Sequence, residues 1–256
     1  MIGAIAGDMI GSPYESRPIK TVAFPLVVAG FTDDTVLTLA VANAIIRCTD
    51  YRAEIKCFAR NFPNLPYGGS FWHWIWDPYS IPYYSYGNGS AMRVSPVGFA
   101  FESIEDVLVH AKRSAEVSHN HPEGIKGAQA TALAVFLARK DADKATIRRQ
   151  IETRFAYHLR CSVDDIRAGY RFDVSCQGSV PQSIIAFLDS EDYATAVKNA
   201  ISLGGDADTM ACIAGAIAQA YYKTMPADIV RQARQNLPEA LLGVLNQFSQ
   251  RFDCPY

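Results

Sequence analysis

The sequence predicts an all-α fold, a compact single domain of many helices rather than a simple four-helix bundle. Apolar residues recur with helical periodicity over most of the chain, capping residues precede several of these stretches, and alternating runs typical of strands are scarce. The chain has 256 residues, of which 49% are hydrophobic and 20% are charged. Such a chain can bury a substantial core, so we expect one domain over residues 1–256.

Individual helices follow from the same patterns. Residues 34–47 carry a broad apolar stripe, and Ser103 begins a helix that continues to about residue 115. The remaining predicted helices cover residues 124–140, 144–159, 193–203, 209–223, 226–236 and 238–252. Residues 62–100, rich in proline, glycine and aromatic residues, are predicted to form a long irregular segment. A loop of this length in a compact helical domain is usually functional.

Two acidic motifs, about 170 residues apart, each open an apolar helix. The first is Thr-Asp-Asp-Thr at residues 32–35, and the second is Gly-Gly-Asp-Ala-Asp-Thr at residues 204–209. One such motif alone is explained by helix capping, because Asp and Thr are preferred N-caps and the helix dipole favours acids in a first turn. Two motifs carry more carboxylates than capping needs, and crowded carboxylates require a cation. Together they predict an oxygen-rich site for a hard divalent cation.

Composition argues against several other classes of function. The net charge of 24 − 26 = −2 does not suit non-specific nucleic-acid binding. The N-terminal segment lacks a basic region and carries Asp8, unlike a signal peptide, and the apolar stretch at residues 210–222 is too short to span a membrane. Six cysteines show no zinc-type spacing, and Cys48 and Cys212 lie in apolar helical patterns typical of buried thiols. We therefore expect a soluble cytoplasmic protein with reduced cysteines.

Residues 62–100 hold further candidate chemistry. The Gly-Asn-Gly-Ser run at residues 87–90 offers backbone N–H groups, and Arg93 supplies a positive charge nearby. These features suit a phosphate, although an ordinary turn is the commoner reason for such a run. The tyrosines at 83, 84 and 86 could stack a nucleobase or simply anchor the loop to the core.

A second candidate for metal binding is the His-x-His-x-Glu pattern of His119, His121 and Glu123. Its ligand atoms suit a transition metal. Pro122 and Gly124 mark a turn before a helix, and hydrogen-bonding loop residues are the commoner finding there. We therefore favour ligand contact or loop structuring for this segment over metal binding.

Five motifs in a fixed order carry a resemblance to a known family. They are GDMIGSPYE at residues 7–15, TDDT at 32–35, GNGSAMR at 87–93, SHNHPEG at 118–124 and GDADT at 205–209. Together they resemble the ADP-ribosylglycohydrolase family, which includes the dinitrogen reductase-activating glycohydrolases and the ADP-ribosylhydrolases. The resemblance reaches from the first helix to about residue 222. One motif would be a weak signal, whereas five in register are specific.

The resemblance implies an all-α fold with two Mg²⁺ ions, or Mn²⁺, at the base of an ADP-ribose cleft. The metal ligands that it implies are Thr32, Asp33, Asp34, Asp206, Asp208 and Thr209. The implied catalytic residues are Asp33, Asp34, Asp208 and Glu15, of which Glu15 matches an acid near the scissile bond. The implied substrate-binding residues are Gly87, Asn88, Gly89, Ser90, Met92 and His119. Asp8 also matches its motif, with either a structural role or a role behind the metal ligands.

The implied reaction is hydrolysis of an N- or O-glycosidic bond between ADP-ribose and an acceptor. Positive charge develops at the anomeric carbon, where nearby anions stabilise it, and two cations can orient the ribose hydroxyls and a water. Glu15 would act as the base for this water or as a gate that positions it. The acceptor is open among arginine, serine, a nucleobase and a small molecule, with arginine of a protein favoured.

Two alternatives to an enzyme of this kind remain. One is a non-catalytic ADP-ribose-binding protein, and the other is an immunity protein that neutralises an ADP-ribosyltransferase toxin. Under the favoured hypothesis we expect a monomer whose partners are ADP-ribose and an ADP-ribosylated protein, with no membrane contact.

Overall fold

Helices form the regular structure in residues 1–23 and 25–254, the part of the chain that the computed structural model describes. In chain order they are α1 (Ile2–Glu15), α2 (Asp33–Arg47), α3 (Tyr51–Asn61), α4 (Gly69–Trp76), α5 (Gly89–Met92), α6 (Ser95–Ala100), α7 (Ile104–Glu116), α8 (Pro122–Arg139), α9 (Lys144–Phe155), α10 (Val163–Arg167), α11 (Cys176–Leu188), α12 (Tyr193–Ser202), α13 (Ala207–Tyr222), α14 (Ala227–Gln235) and α15 (Glu239–Phe252). An isolated β-bridge joins Gly87 to Ser175. The predicted all-α fold is confirmed; positions 24, 255 and 256 lie outside the described residues.

Most predicted helices are present, with ends that differ by one or two residues. The exception is the segment 144–159, because α9 ends at Phe155 and Ala156 takes a left-handed conformation with φ of 54°. The predicted helices at 226–236 and 238–252 begin one residue too early. Pro226 and Pro238 are the N-cap residues of α14 and α15, and the helices begin at the residues that follow them.

The prediction of a long irregular segment at residues 62–100 is wrong. Three helices, α4, α5 and α6, lie within it. In α4 the buried side chains are Phe71, Trp74 and Ile75, at the three- and four-residue spacing of one helical face. The aromatic run is therefore a short helix packed on the core. Cys48, expected to be buried, is the exposed C-cap residue of α2, whereas Cys212 is buried as expected.

Helix α13 lies at the centre of the core and contacts α1, α8, α11 and α12. Its fourteen buried residues run from Ala207 to Ala220 without a break, so the helix is covered on all sides. Among the described residues, no helix is long and apolar enough to cross a membrane. The apolar stretch at residues 210–222, which lies within α13, is thus part of a globular core.

The antiparallel contact between α1 and α13 is a contact of backbones. Gly3, Gly7 and Gly11 lie four residues apart on α1 and face α13. A Cβ added at Gly7 would lie 2.2 Å from the carbonyl oxygen of Ala211, and one added at Gly11 would lie 2.4 Å from that of Ala207. Only glycine fits at these distances. The close approach brings the C-terminal end of α1 against the N-terminal end of α13.

We predict that Gly7→Ala lowers the free energy of unfolding by about 1–3 kcal/mol, because the added methyl group forces two packed backbones apart. Gly243→Ala in α15 is the matched control, since a Cβ there meets nothing within 4 Å. The control should raise the free energy of unfolding by up to about 1 kcal/mol through its better helix propensity. Urea unfolding followed by circular dichroism measures both changes. Equal stability of wild type and Gly7→Ala would contradict the backbone contact.

Candidate active site

Three helix ends meet at the base of one cleft. The end of α1 contributes Glu15, the start of α2 contributes Asp33 and Asp34, and the start of α13 contributes Asp206 and Asp208. The cleft has a volume of about 560 Å³, within the range of small-molecule sites. Its other lining residues are Leu37, Pro66, Gly68, Gly69, Ser70, Phe71, Tyr83, Tyr84, Ser85, Tyr86, Gly87, Asn88, Gly89, Met92, Arg93, His119, Val174 and Thr209.

Glu15, Asp206 and Asp208 form a compact group of acids in this cleft. Each offers a carboxylate oxygen within 4.8 Å of the oxygens of the other two. The two aspartates are buried, whereas Glu15 is partly exposed. The resemblance assigns Glu15 to the scissile bond rather than to the metal, yet its carboxylate lies close enough to the two aspartates for all three to hold one cation.

Asp34 and two threonines form a second group. The Thr209 hydroxyl donates to Asp34 Oδ2 over 3.3 Å, and Thr32 Oγ1 lies 3.5 Å from the same oxygen. The other oxygen of Asp34, Oδ1, is buried without a hydrogen-bond partner among the described residues. A buried carboxylate oxygen without a donor is costly, and a cation would satisfy it. Because Thr209 directly follows Asp208 in the chain, the two groups are neighbours in the cleft.

Asp8, a residue of α1, holds the N-terminal end of α2 by hydrogen bonds. Its Oδ2 accepts the backbone N–H groups of Thr32 and Thr35 at 3.0 and 3.2 Å, as well as the Thr35 hydroxyl. Its Oδ1 accepts the Thr32 hydroxyl at 2.8 Å. The only hydroxyl proton of Thr32 is therefore used on Asp8, and its oxygen accepts the backbone N–H of Asp34 at 3.3 Å, which leaves one lone pair of Thr32 for a cation. Asp8 is fully buried and accepts its hydrogen bonds from Thr32 and Thr35, so any effect that it has on a ligand in the cleft would pass through the start of α2.

The acids raise one another's pKa. Burial and then the charge of Asp206 raise the pKa of Asp208 to about 8. Burial and then the charge of Asp208 raise the pKa values of Asp33 and Asp34 well above the usual range. A bound cation would offset this repulsion and restore the ionised carboxylates. An oxygen-only donor set, an unpartnered oxygen and mutual repulsion together fit a hard divalent cation.

The glycine-rich turn at residues 87–90 is joined to the acids by a hydrogen bond. Asn88 Nδ2 donates to Asp206 Oδ2 over 2.7 Å and to Ser179 Oγ over 3.2 Å. Gly87, Gly89 and Met92 line the cleft as the substrate hypothesis requires.

The Ser90 side chain does not line the cleft. Its hydroxyl is buried and donates to the Gly124 carbonyl oxygen over 2.7 Å. This hydrogen bond is to the first turn of α8, so the side chain fixes the glycine-rich turn to the core.

Arg93 occupies a different environment from the one expected of a phosphate ligand. Its side chain is fully buried, and Nη2 donates to Ser114 O and to Ser118 Oγ, each over 2.9 Å. Arg93 borders the cleft, but these hydrogen bonds turn its guanidinium towards Ser114 and Ser118 rather than towards a ligand. His119 also lines the cleft, and its Nδ1 lies 2.8 Å from Ser118 Oγ.

The rival His-x-His-x-Glu site does not gather its ligands. His121 is the N-cap residue of α8, and its Nδ1 accepts the backbone N–H of Glu123 at 3.1 Å. Tyr84 and Tyr86 pack edge-on against its ring. In the part of the chain that the structure describes, the metal-type group of acids and histidines is the one that contains Glu15. His121 therefore structures the loop before α8, which is one of the two roles that the sequence favours for this segment.

Lys20 fixes the loop that carries Asp206, and no sequence pattern indicates it. Its Nζ donates over 2.5–2.9 Å to the backbone carbonyl oxygens of Arg167, Tyr170 and Leu203. Gly204 follows with φ of 64°, a left-handed conformation that favours glycine. A lone lysine gives no local signal, because its partners are distant in sequence.

A second cavity, of about 580 Å³, lies among α2, α3, α7 and α15. Arg52, Arg113 and Phe252 are among its lining residues. Its two acids are already engaged, because Asp50 caps α3 and Glu116 pairs with Lys112. The two cavities are therefore similar in volume. The group of Glu15, Asp206 and Asp208 identifies the cleft, rather than this second cavity, as the candidate active site.

Comparison with known proteins agrees with this geometry. A family model described as ADP-ribosylglycohydrolase matches residues 1–253. The chain belongs to this family. It is 26% identical to human ADP-ribosylhydrolase ARH3, over 87% of this chain and 84% of that protein. It is 23% identical to the ADP-ribosylarginine hydrolase Tri1 of Pseudomonas putida, over 87% of this chain and 69% of that protein.

A solved structure shares the fold. It is described as an ADP-ribosylglycohydrolase-related protein complex and superposes with a TM-score of 0.74 at 22% identity. The alignment covers 98% of this chain and 96% of that one. The all-α architecture is therefore the architecture of the family.

We predict that the metal-free protein loses stability as the pH rises from about 4 to about 8, the range over which the pKa of Asp208 is raised from 3.8 to about 8. In this range the folded state holds a proton that the unfolded state has released, so stability present at low pH is lost as the pH passes the folded pKa. Thermal unfolding in the presence of EDTA measures the slope. Mg²⁺ should raise the Tm most at the upper end, where the carboxylates ionise most readily.

Two variants provide the comparison for this experiment. Asp208→Asn should make the dependence on pH shallower, because it removes one titrating carboxyl group and the charge that raises the pKa values of Asp33 and Asp34. Asp228→Asn, at an exposed position in the first turn of α14, should leave it unchanged. Identical slopes for wild type and Asp208→Asn would show that the repulsion among these acids has no effect on stability.

Proposed function

We propose that this protein is a metal-dependent hydrolase that cleaves the glycosidic bond between ADP-ribose and a modified acceptor. The grouping of Glu15, Asp206 and Asp208 at the base of a cleft carries the proposal, together with the unpartnered oxygen of Asp34 beside them. Membership of the ADP-ribosylglycohydrolase family supports ADP-ribose as the glycosyl group.

The proposed cofactor is a pair of Mg²⁺ ions, with Mn²⁺ as the other candidate. Asp206 and Asp208, joined by Glu15, would hold one side of the centre. Thr32, Asp33, Asp34 and Thr209 would hold the other. When bound, the cations supply Lewis-acid charge that polarises the ribose hydroxyls and a water. The N-terminal ends of α2 and α13, which are the positive ends of their helix dipoles, face the proposed metal centre. The negative charge of four aspartates exceeds this partial positive charge.

Glu15 is the residue that we propose to handle the proton of the attacking water. It is partly exposed at the cleft, so water reaches it, whereas Asp34 and Asp208 are buried. Burial and then the charge of Asp208 raise the pKa of Glu15, towards the range in which a carboxylate is an efficient base at neutral pH. The same position also allows Glu15 to act as a gate that orients the water.

The proposed ligand path runs from the acids along the glycine-rich turn to His119. A Cβ added at Gly89 would lie 3.1 Å from His119 Nε2, so any other side chain there would narrow the path. Tyr84 and Tyr86 are exposed where they line the cleft. Aromatic rings at the end of such a path suit a purine base.

For the acceptor we propose the arginine side chain of a protein. The relative from Pseudomonas putida is named for ADP-ribosylarginine. The name of the ARH3 relatives states no acceptor. The acceptor is therefore the part of the proposal that most needs a direct assay.

We predict that Asp208→Ala abolishes both metal binding and Mg²⁺-dependent release of ADP-ribose. Glu15→Gln should lower turnover by about 100-fold or more through loss of the base, while the affinity for ADP-ribose stays within about twofold, because the amide keeps the size of the side chain. Calorimetry measures binding, and chromatography of released ADP-ribose measures turnover.

Asp228→Ala, on the surface of α14, is the control and should behave as wild type in both measurements. Full turnover in Asp208→Ala would refute the metal centre. ADP-ribose affinity in a wild-type protein that releases no ADP-ribose from any substrate would instead identify a non-catalytic binder.

We predict that the protein releases ADP-ribose from arginine-linked substrate at least about 10-fold faster than from serine- or nucleobase-linked substrate, the discrimination that one well-placed polar contact supplies. A panel of these three substrates, assayed with Mg²⁺ and with EDTA, measures the preference. A faster reaction with either of the other two linkages would reject arginine while leaving the hydrolase in place.

A further inference from the structure

Three buried side chains form a hydrogen-bonded chain at the wall of the cleft. Arg93 Nη2 donates to Ser118 Oγ over 2.9 Å, and Ser118 Oγ lies 2.8 Å from His119 Nδ1. Arg93 and Ser118 are fully buried, and His119 is 5% exposed. The chain therefore links a buried cation to a histidine that lines the ligand path.

Arg93 fixes the direction of the first hydrogen bond, because a guanidinium group can only donate and Ser118 must therefore accept. In the described residues, His119 Nδ1 is the only acceptor within reach of the one hydroxyl proton of Ser118, so Nδ1 accepts this proton. A neutral imidazole whose Nδ1 accepts a hydrogen bond carries its proton on Nε2.

A doubly protonated ring does not suit this arrangement. Nδ1 would become a second donor towards Ser118, and a second positive charge would lie beside Arg93. Burial and then the charge of Arg93 lower the pKa of His119 well below its usual range. The aromatic rings of Phe71 and Tyr83 flank the imidazole at 6.5 and 5.8 Å, and neither supplies a negative charge at neutral pH.

Nε2 is directed towards the glycine-rich turn. An ideal Cβ on Gly89 would lie 3.1 Å from it, and one on Gly87 would lie 3.6 Å from it. No hydrogen-bond partner of Nε2 is present in residues 1–23 and 25–254. The free N–H group is therefore available to a ligand in the cleft.

Arg93 is costly for the fold. Its Nε and Nη1 are buried without hydrogen-bond partners, and no carboxylate pairs with it in the described part of the chain. A buried charge without a counter-ion destabilises a core, where an apolar residue of similar volume would not. This cost points to a role in the site rather than in stability.

We propose that Arg93 and Ser118 are positioning residues that lock His119 in the neutral Nε2–H tautomer, so that it presents one hydrogen-bond donor to a phosphate or ribose oxygen of the ligand. Only the identity of that ligand rests on the proposed function. The tautomer itself is a property of the free protein.

The test is a long-range ¹H–¹⁵N correlation spectrum of the histidine rings in the metal-free, full-length protein. His119→Gln identifies the signals of His119. The expected pattern at neutral pH is a protonated Nε2 and an unprotonated Nδ1, unchanged when the pH passes about 6.5, where a free histidine titrates. An Nδ1–H tautomer or an imidazolium in the wild-type spectrum would overturn the proposal.

Variants distinguish a positioning role of Arg93 and Ser118 from a role in packing alone. Ser118→Ala should give a mixture of tautomers and weaken ADP-ribose binding by about 5- to 10-fold, the loss of one oriented hydrogen bond. Arg93→Lys, which keeps a donor, should retain the wild-type pattern, whereas Arg93→Met should lose it. Ser114→Ala is the matched control, because this buried hydroxyl donates to Ala111 O over 2.9 Å and takes no part in the chain.

Indistinguishable spectra for Ser118→Ala and Ser114→Ala would also overturn the proposal. If Ser118→Ala fails to fold, the wild-type spectrum and the two Arg93 variants decide. The Nε2–H pattern in a protein that does not bind ADP-ribose would reject the proposed ligand and leave the locked histidine in place.

Discussion

The backbone contact between α1 and α13 determines where the acids of the cleft lie. Glycines at every fourth position remove the side chains that would keep the two helices apart, and a Cβ at Gly11 would lie 2.7 Å from the Cα of Asp208. Glu15 ends α1, and Asp208 lies in the first turn of α13. Their carboxylates therefore meet because two helix backbones touch, before any hydrogen bond within the site is considered.

Near that contact, the folded protein contains buried carboxyl groups whose negative charges repel one another strongly. Five aspartates at positions 8, 33, 34, 206 and 208 have raised pKa values, with burial as the largest cause at each. Asp8 is compensated by four hydrogen bonds from the start of α2. Asp34 keeps a buried oxygen for which the described part of the chain offers no hydrogen-bond partner. The uncompensated charge is thus concentrated on the side that faces the cleft, where a cation would reduce the repulsion.

Local patterns allowed much of the fold and the acids to be predicted. The two acidic motifs and most long helices are visible in sequence because capping, carboxylate clustering and apolar periodicity are properties of neighbouring residues. Helix α11 contains Pro181, and the buried face of α4 spans only five residues, so periodicity does not indicate either one. Lys20 and Arg93 depend on partners far along the chain, and their environments follow only from the assembled fold.

The hydrogen bond from Asn88 to Asp206 joins the glycine-rich turn to the acids. Because the Asn88 amide donates to a carboxylate that a bound cation would keep ionised, occupancy of the proposed metal centre would be thermodynamically linked to the conformation of the turn. Such a linkage is reciprocal: whatever factor the cation contributes to the affinity for a ligand on the turn, that ligand contributes to the affinity for the cation. One side-chain amide would thus make the two halves of the cleft a cooperative unit, in which the proposed cation and nucleotide favour each other's binding.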